Sequence, residues 1–434
     1  MTDTAIGLLG IAGLFGLMIL RTPVGIAMLI TGFVGIYVLD GARTANAVMV
    51  TETYSSVANY SLTVVPLFVL LGNVASRAGF SRSLYEAAFA WIGPFRGGLA
   101  SASVLGCAAF AAVSGSSVAT AVTIGRVALP EMKRLGYGDA LSTGAIAAGG
   151  TLGFLIPPST GFVIYAILTE ESIGRLFMAG ILPGLLLTLL FVGAIWITVL
   201  RDPDAGPPGA LVPMAERLRA FLQAAPLLSV IVVSIGGIYL GVFTPVEAAG
   251  VGAALVIALA VFSGRMGVKD FYETLIETVR TSAMLYLIVI GASVLNPFLA
   301  LTHIPAFLGD TLVQAGFGPY MTLCLIVLGY LVLGMFMDGL SMLVVTLPIV
   351  FPVIINAGFD PVWFGVIAVI VVEMGMITPP VGLNAFVVKS VAEDVPMSTI
   401  FRGVLPFWIA MMVCLVLIVA IPDIALLIPN SMFD

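Results

Sequence analysis

The sequence predicts an all-α polytopic membrane protein, built from two inverted-topology repeats with two re-entrant hairpins. Three observations carry that reading: an apolar composition, an internal repeat, and the placement of the basic residues. Hydrophobic residues make up 60 % of the chain and charged residues 9 %, with a mean hydropathy of +1.18. A soluble domain of this size needs about a quarter of its residues charged to cover its surface, so this surface must face lipid. The 48 glycines and 25 prolines suit membrane helices, where Gly permits close packing and Pro marks breaks. At roughly 20 residues per crossing, the apolar length allows about a dozen spans.

The repeat is read from short strings that return in the same order. Thr22-Pro23-Val24 returns as Thr244-Pro245-Val246, and Pro157-Pro158 as Pro379-Pro380, 222 positions on (379 − 157). Gly136-Tyr137 matches Gly358-Phe359, and Gly180-Ile181-Leu182-Pro183 matches Gly403-Val404-Leu405-Pro406. Ser114-Gly115-Ser116-Ser117 lies opposite Asp338-Gly339-Leu340-Ser341. Order and spacing together divide the chain into a first repeat over 1–200 and a second over 220–434. The Pro-rich, charged segment 201–219 is expected to be a cytoplasmic linker between them.

The elements follow from apolar runs and from where Lys and Arg fall. Ile6–Leu20 lacks a basic leader and runs straight into Arg21, so it reads as a first span and not a cleavable signal. With Met1 outside, Thr22–Leu39 rises again and Leu62–Ala75 descends to Arg77 and Arg82. A hairpin over about 98–134 re-enters, turns at Ser114–Ser117 and returns to Lys133 and Arg134. The run over 140–168 rises, broken near Pro157-Pro158, and Leu176–Leu200 descends to Arg201. The second repeat then traces the same path upside down, with a hairpin over 320–357 and a broken helix over 361–389. This tracing puts the basic residues inside, except Arg43 and Arg175 outside and Arg126 within a hairpin, as the positive-inside rule asks. Both termini are then periplasmic, in a bacterial inner membrane. Two halves of opposite topology are the signature of an inverted-repeat transporter.

Such proteins bind cargo near the midplane, where helices are interrupted. Interrupted backbone must be buried in protein or line a wet cavity, because lipid offers no hydrogen bonds. The interruptions here are Ser114-Gly115-Ser116-Ser117, Gly149-Gly150-Thr151-Leu152-Gly153 through Pro157-Pro158-Ser159-Thr160, Asp338-Gly339-Leu340-Ser341, and Gly375–Pro380 with Gly382 and Asn384. Carbonyls at such breaks suit a hard cation, and free N–H groups at a half-helix start suit a carboxylate. Gly and Ser at these places also serve close helix packing; four clusters at matching repeat positions favour a site. Asp338 and Glu373 are the deep acids, and an intramembrane acid is a functional candidate. Arg126 can meet a substrate carboxylate, pair with an acid or snorkel to the rim.

The chain resembles the large membrane subunit of tripartite ATP-independent periplasmic (TRAP) transporters. The runs that carry the resemblance are SGSSVATAVTIGRVALPEMKRLGY (114–137), GGTLGFLIPPSTGFVIYAILTEESIGRLFMAGILPGLL (149–186), GMFMDGLSMLVVTLPIVFPVI (334–354) and EMGMITPPVGLNAFVV (373–388). The resemblance covers essentially the whole chain. It implies an elevator-type fold, with a scaffold and a transport domain carrying both hairpins. It implies uptake of a small organic acid by Na⁺ symport. It also implies two partners, a small four-helix membrane subunit and a periplasmic substrate-binding protein. No room for the small subunit precedes Ile6, so that subunit is expected as a separate chain. Carried over residue by residue, one Na⁺ site uses Ser114, Gly115 and Ser117 with Gly150 and Gly153. The other uses Gly339 and Ser341 with Gly375 and Thr378. Candidates for the solute are Ser116, Thr151, Pro157, Ser159, Asp338, Pro379, Asn384 and Arg126.

The nearest alternative is a stand-alone ion-coupled organic-anion symporter or antiporter of the same broad superfamily. An enzyme would need a catalytic pair or metal set, and Asp338 with Glu373 has no accompanying motif. A channel could use broken helices as pore lining, but matched hairpins argue for alternating access. Cys107, Cys324 and Cys414 sit far apart in apolar runs, and His303 stands alone. That arrangement suggests neither a disulfide framework nor a transition-metal site. No nucleic-acid partner is expected; the partners are the lipid bilayer, the two proteins and the solute.

Overall fold

The computed structural model describes residues 2–432, and among them the regular structure is helical throughout. Helix α1 (Asp3–Ile19) opens on Thr2, whose hydroxyl accepts a hydrogen bond from the Ala5 N–H. Helix α2 (Val24–Ala58) starts directly after Pro23 and is bent at Gly41, where φ is 85°. A 3₁₀ turn at Tyr60–Thr63 leads into α3 (Val64–Arg77) and then α4 (Phe80–Ile92). The first hairpin is α5 (Gly98–Ser114) and α6 (Ser117–Arg134); the first broken helix is α7 (Asp139–Leu155) and α8 (Thr160–Thr169). Helix α9 (Ile173–Arg201) follows.

After a connection that holds one 3₁₀ turn, Pro203–Ala205, come α10 (Met214–Tyr239), α11 (Pro245–Phe262) and α12 (Val268–Leu301). Helix α11 begins with a capping box, Thr244 and Glu247 bonding each other's backbone N–H, and with Pro245 in its first turn, where a missing N–H costs nothing. Then follow α13 (Ile304–Gln314), the second hairpin α14 (Pro319–Gly334) and α15 (Gly339–Asn356), and the second broken helix α16 (Pro361–Met376) and α17 (Leu383–Val391). The chain closes with α18 (Met397–Ala420) and α19 (Asp423–Ser431). Helices α4, α13 and α19 lie where the sequence reading placed only connections.

The connection after α9 is shorter than the expected 201–219 segment, because α10 begins at Met214, directly after Pro213. It is also bound to the first repeat. Gly206 O accepts from Gly97 N at 2.9 Å, Ala205 O accepts from Gly138 N at 3.0 Å, and Gly209 N donates to Gly93 O at 2.9 Å.

Nine helical segments among the described residues are long and apolar enough to cross a membrane. Four apolar helices are shorter, among them α5 and α14, the entering arms of the two hairpins. At 1.5 Å per residue such an arm reaches roughly 25 Å, less than the ~30 Å hydrocarbon core, which fits re-entry.

Helices α7 and α16 form the centre. Every residue from Leu141 to Leu155 and from Val362 to Met376 is buried. A helix apolar all round is one that has protein on every side. Helix α7 packs against α18 and α16 against α9, so each repeat's central helix rests on the last long helix of the other. Gly403 makes the first of these contacts possible: a Cβ there would sit 1.8 Å from the Ala140 carbonyl oxygen. At the periphery α2 crosses α12, with Gly25 against the backbone of Leu287 and Gly291. Helix α3 is tied to α12 by Arg77–Glu273 at 2.9 Å and Asn73–Thr278 at 3.1 Å.

Candidate functional site

The first hairpin turns because Ser114 ends α5, Gly115 takes a left-handed conformation at φ 59°, and Ser116 caps α6 by accepting from the Ala119 N–H. Only Gly enters that backbone region without strain. The Ser114 and Thr120 hydroxyls lie 2.7 Å apart across the turn. The Gly115 carbonyl accepts twice from Thr160, from its N–H at 3.1 Å and from its hydroxyl at 2.7 Å. Both lone pairs of that carbonyl are therefore engaged by protein, and the first hairpin tip is fastened to the start of α8.

Gly150 and Gly153 admit the first turn of α6. A Cβ at Gly153 would meet Ser116 O at 2.4 Å, and one at Gly150 would meet Ser117 O at 3.1 Å. The break itself is a cis Pro157-Pro158 peptide. Ser159 is buried, caps α8 through the Phe162 N–H at 3.3 Å and donates to Phe154 O. The Thr151 hydroxyl donates to Ala148 O at 2.6 Å and is buried.

The second hairpin turns on Asp338. Its carboxylate accepts from the Ser341 N–H at 3.0 Å and from the Ser341 hydroxyl, capping α15. Asp338 is thus bound within its own hairpin. Gly334 and Gly375 pack backbone to backbone; a Cβ on Gly375 would lie 2.6 Å from the Gly334 Cα. The Thr378 hydroxyl donates to Met374 O and accepts from Trp408 Nε1 at 3.1 Å. The break carries a second cis peptide, Pro379-Pro380, and Gly382 follows at φ 62°. Pro157 and Pro158 are buried whereas Pro379 and Pro380 are exposed, so the two breaks are not equally covered.

The four interruptions meet across the repeats as well as within them. Phe154 of the first broken helix reaches Gly339 at the second hairpin tip, at 3.5 Å from a Cβ placed there. Glu373 of the second broken helix lies beside the Ser117 hydroxyl of the first tip. The Glu373 Oε2 accepts from Asn384 Nδ2 at 3.3 Å, and both side chains are fully enclosed. The structure therefore brings Ser114–Ser117 against Gly150, Gly153 and Thr160, and Gly375 against Gly334, and joins the two sets through Phe154 on Gly339 and through Ser117 beside Glu373 and its partner Asn384. Thr151, Ser159, Asp338, Ser341 and Thr378 make their hydrogen bonds locally, and Pro379 is exposed. Arg126 stands apart. It is exposed and ten positions into the returning arm, about 15 Å along the helix from Ser116.

Thr120, Phe154 and Trp408 complete the junction without having been singled out from sequence, and Thr160, named there only as the end of an interruption, joins them. Thr160 carried a signal, since Ser159-Thr160 after a Pro pair is a helix-start pattern; Phe154 and Trp408 carried none. The donors assembled here are hydroxyls, amide groups, carbonyls and two acids, with no Lys or Arg at the junction among the described residues. Such hard oxygens suit a hard cation, and the two acids make an organic anion alone unwelcome.

A family model for the tripartite ATP-independent periplasmic transporter, DctM component, matches residues 11–424. The chain is 38 % identical over 373 residues to the C4-dicarboxylate TRAP transporter large permease protein DctM of Pseudomonas aeruginosa, covering 86 % of this chain and 87 % of that one. It is 33 % identical over 423 residues to the sialic acid TRAP transporter large permease protein SiaM of Vibrio cholerae, covering 97 % of each. It also matches the isethionate TRAP transporter permease protein DctMQ of Oleidesulfovibrio alaskensis at 33 %, over 58 % of that protein's length. Among solved structures it is similar in fold to the YdaH transporter of Alcanivorax borkumensis, with a TM-score of 0.62 at 15 % identity over 91 % of this chain and 89 % of that one. The ordered motifs, the all-helical architecture with its paired hairpins, and the match across the whole chain agree that this protein belongs to the DctM family of TRAP transporter large permeases.

Proposed function

We propose that this permease imports a small organic acid by Na⁺ symport, receiving the solute from a periplasmic binding protein and working with a small four-helix membrane subunit. The observation that carries the proposal is the junction of both hairpin tips with both broken helices, lined by neutral oxygens and two acids without a basic residue. An anionic solute entering such surroundings must bring positive charge with it, because Coulomb energy is large where water is excluded. Na⁺ at the two tips supplies that charge, with Ser114, Ser117, Gly150 and Gly153 around one ion and Gly339, Ser341, Gly375 and Thr378 around the other. Because Thr160 occupies the Gly115 carbonyl, Gly115 acts as the turn in this conformation, and it ligates only if Thr160 moves away. The solute lies between the tips against Ser116, Thr151 and Ser159. Relatives named for C4-dicarboxylates and sialic acid make those two acids the first to try.

Reconstitution of the chain with both partners in vesicles tests this. Uptake of the labelled acid is expected only with an inward Na⁺ gradient and only with the binding protein present. Uptake that ignores Na⁺ and follows a proton gradient would refute the coupling. Uptake by this chain alone would favour the stand-alone symporter.

A further inference from the structure

Glu373 and Asn384 leave two oxygens unexplained. Glu373 is 1 % exposed and Asn384 is 0 % exposed. Their one hydrogen bond runs from Asn384 Nδ2 to Glu373 Oε2 at 3.3 Å. Glu373 Oε1 and Asn384 Oδ1 are both buried without a hydrogen-bond partner among the described residues. The Ser117 hydroxyl lies beside the carboxylate, without closing a bond to Oε1. Two side chains already joined by one hydrogen bond each keep a buried oxygen with no donor on it among the described residues. A buried acceptor left without a donor is unfavourable.

Among the described residues no basic side chain lies beside Glu373. The basic groups on helices packed against α16 lie near helix ends, Arg175 and Arg201 on α9, Lys389 on α17 and Arg402 on α18. Lys389 is already spent on the carbonyls of Glu393 and Val395. Ser117 and Asn384 are the polar side chains found beside Glu373 among the described residues. A buried carboxylate without a counter-charge is among the costliest arrangements in a protein.

The repeat sharpens the point. Glu373 corresponds in register to Thr151 of the first repeat, 222 positions earlier (373 − 151). Thr151 is satisfied by its own helix through Ala148 O. The first repeat thus solves this place with a neutral hydroxyl, whereas the second puts an ionisable carboxyl group there.

We propose that Glu373, Asn384 and Ser117 form a further Na⁺-binding position, separate from the two hairpin-tip sites. Oε1 and Oδ1 provide the charged and neutral ligands, and the Ser117 hydroxyl provides a third. The Ser117 carbonyl turns instead toward Gly150, so one residue borders both the first tip site and this one. A cation held here joins the first hairpin to the second broken helix, which makes its occupancy a condition for the junction to close.

Equilibrium binding of radioactive sodium to the purified full-length chain tests the proposal. Glu373→Gln keeps the shape and removes the charge, and Asn384→Ala removes the amide oxygen. Each is expected to bind one Na⁺ fewer than the parent, or to need at least ten-fold more Na⁺ for half-saturation. Ser341→Leu serves as the tip control, and its combination with Glu373→Gln is expected to lose two ions. If Ser341→Leu keeps the full complement while Glu373→Gln does not, the tip reading fails and this one stands. Full complement and unchanged half-saturation in both Glu373→Gln and Asn384→Ala would overturn the proposal and leave a neutral acid–amide pair. Should Glu373→Gln fail to elute as the parent does, Asn384→Ala decides alone.

Discussion

Gly334 and Gly375 meet with no side chain between them, and this contact fixes how closely the second hairpin approaches the second broken helix. A methyl on Gly375 would fall 2.6 Å from the Gly334 Cα, which is backbone and cannot swing aside. Gly375→Ala must therefore push α14 away from α16. Overpacking of this kind costs about 1–3 kcal/mol, but its larger effect is on geometry, since ligand positions shift by about an ångström. The expected result is a loss of Na⁺-driven uptake of ten-fold or more in a chain that still inserts and elutes normally. Gly13→Ala, on α1 with nothing within 4 Å, is the matched control and should transport as the parent does. Equal uptake by both variants would show that the close approach is incidental. Thr160→Val is a milder probe: it removes the hydroxyl bond to Gly115 O and keeps the N–H bond. A loss of about 1 kcal/mol is expected, seen as a small fall in melting temperature. Why some junction residues were readable from sequence and others not follows from the range of the interactions. Ser114–Ser117 and Asp338–Ser341 announce themselves because a turn and a cap are made by neighbours in sequence. Phe154 against Gly339, or Trp408 on Thr378, joins residues far apart in the chain, and neither partner looks unusual where it stands.

The same distinction holds for the elements. Gly and Pro clusters marked the interruptions, since a broken helix must place its break chemistry locally, and the helices end there: α5 at Ser114, α7 at Leu155, α14 at Gly334, α16 at Met376. Helices α4, α13 and α19 escaped notice because they are 13, 11 and 9 residues long, too short to cross and too brief to stand out from apolar surroundings. The connection after α9 is legible as a linker from its prolines and charges, but nothing in the sequence announces its attachment. Backbone bonds from Gly93, Gly97 and Gly138 to residues 205–209 involve glycine and alanine, which carry no pattern. That attachment alters how the topology is best tested. Gly206 is buried and its carbonyl engaged, so a cysteine there would label poorly from either side. Asp204 is exposed and is the better site, with Asp3 and Ser431 for the termini. In a background without native Cys, impermeant thiol reagents are expected to reach positions 3 and 431 from the periplasm and position 204 only from the cytoplasm. Periplasmic labelling at 204 would overturn the orientation, and the inverted arrangement with it.

At the scale of the whole molecule the question is what moves. The junction holds all four interruptions by contacts within each repeat, Thr160 on Gly115 and Gly334 on Gly375, and across the repeats, Phe154 on Gly339 and Glu373 beside Ser117. Pulling these apart inside a membrane would strand backbone and side-chain polar groups away from water, each at several kcal/mol. Sliding the assembled block past a fixed wall exchanges apolar contacts for similar ones and leaves the junction intact. Helices α2, α3, α11 and α12 are suited to be the wall, since α3 is ion-paired and hydrogen-bonded to α12 and packs on α11. The place to catch the motion is the seam between wall and block. There the hydroxyls of Ser76 on α3 and Thr123 on α6 lie 3.4 Å apart, near the spacing that a mercury ion or a short bis-thiol reagent spans between two cysteines. In the paired variant Ser76→Cys with Thr123→Cys, cross-linking is expected to stop uptake at least ten-fold below the reduced protein. Na⁺ binding should survive, because the junction itself is untouched, and reduction should restore transport. A cross-linked protein that carries solute at the reduced rate would mean that α6 does not slide past α3 during transport. The solute would then have to pass by gates opening within a stationary block, at the cost of breaking the junction contacts named above.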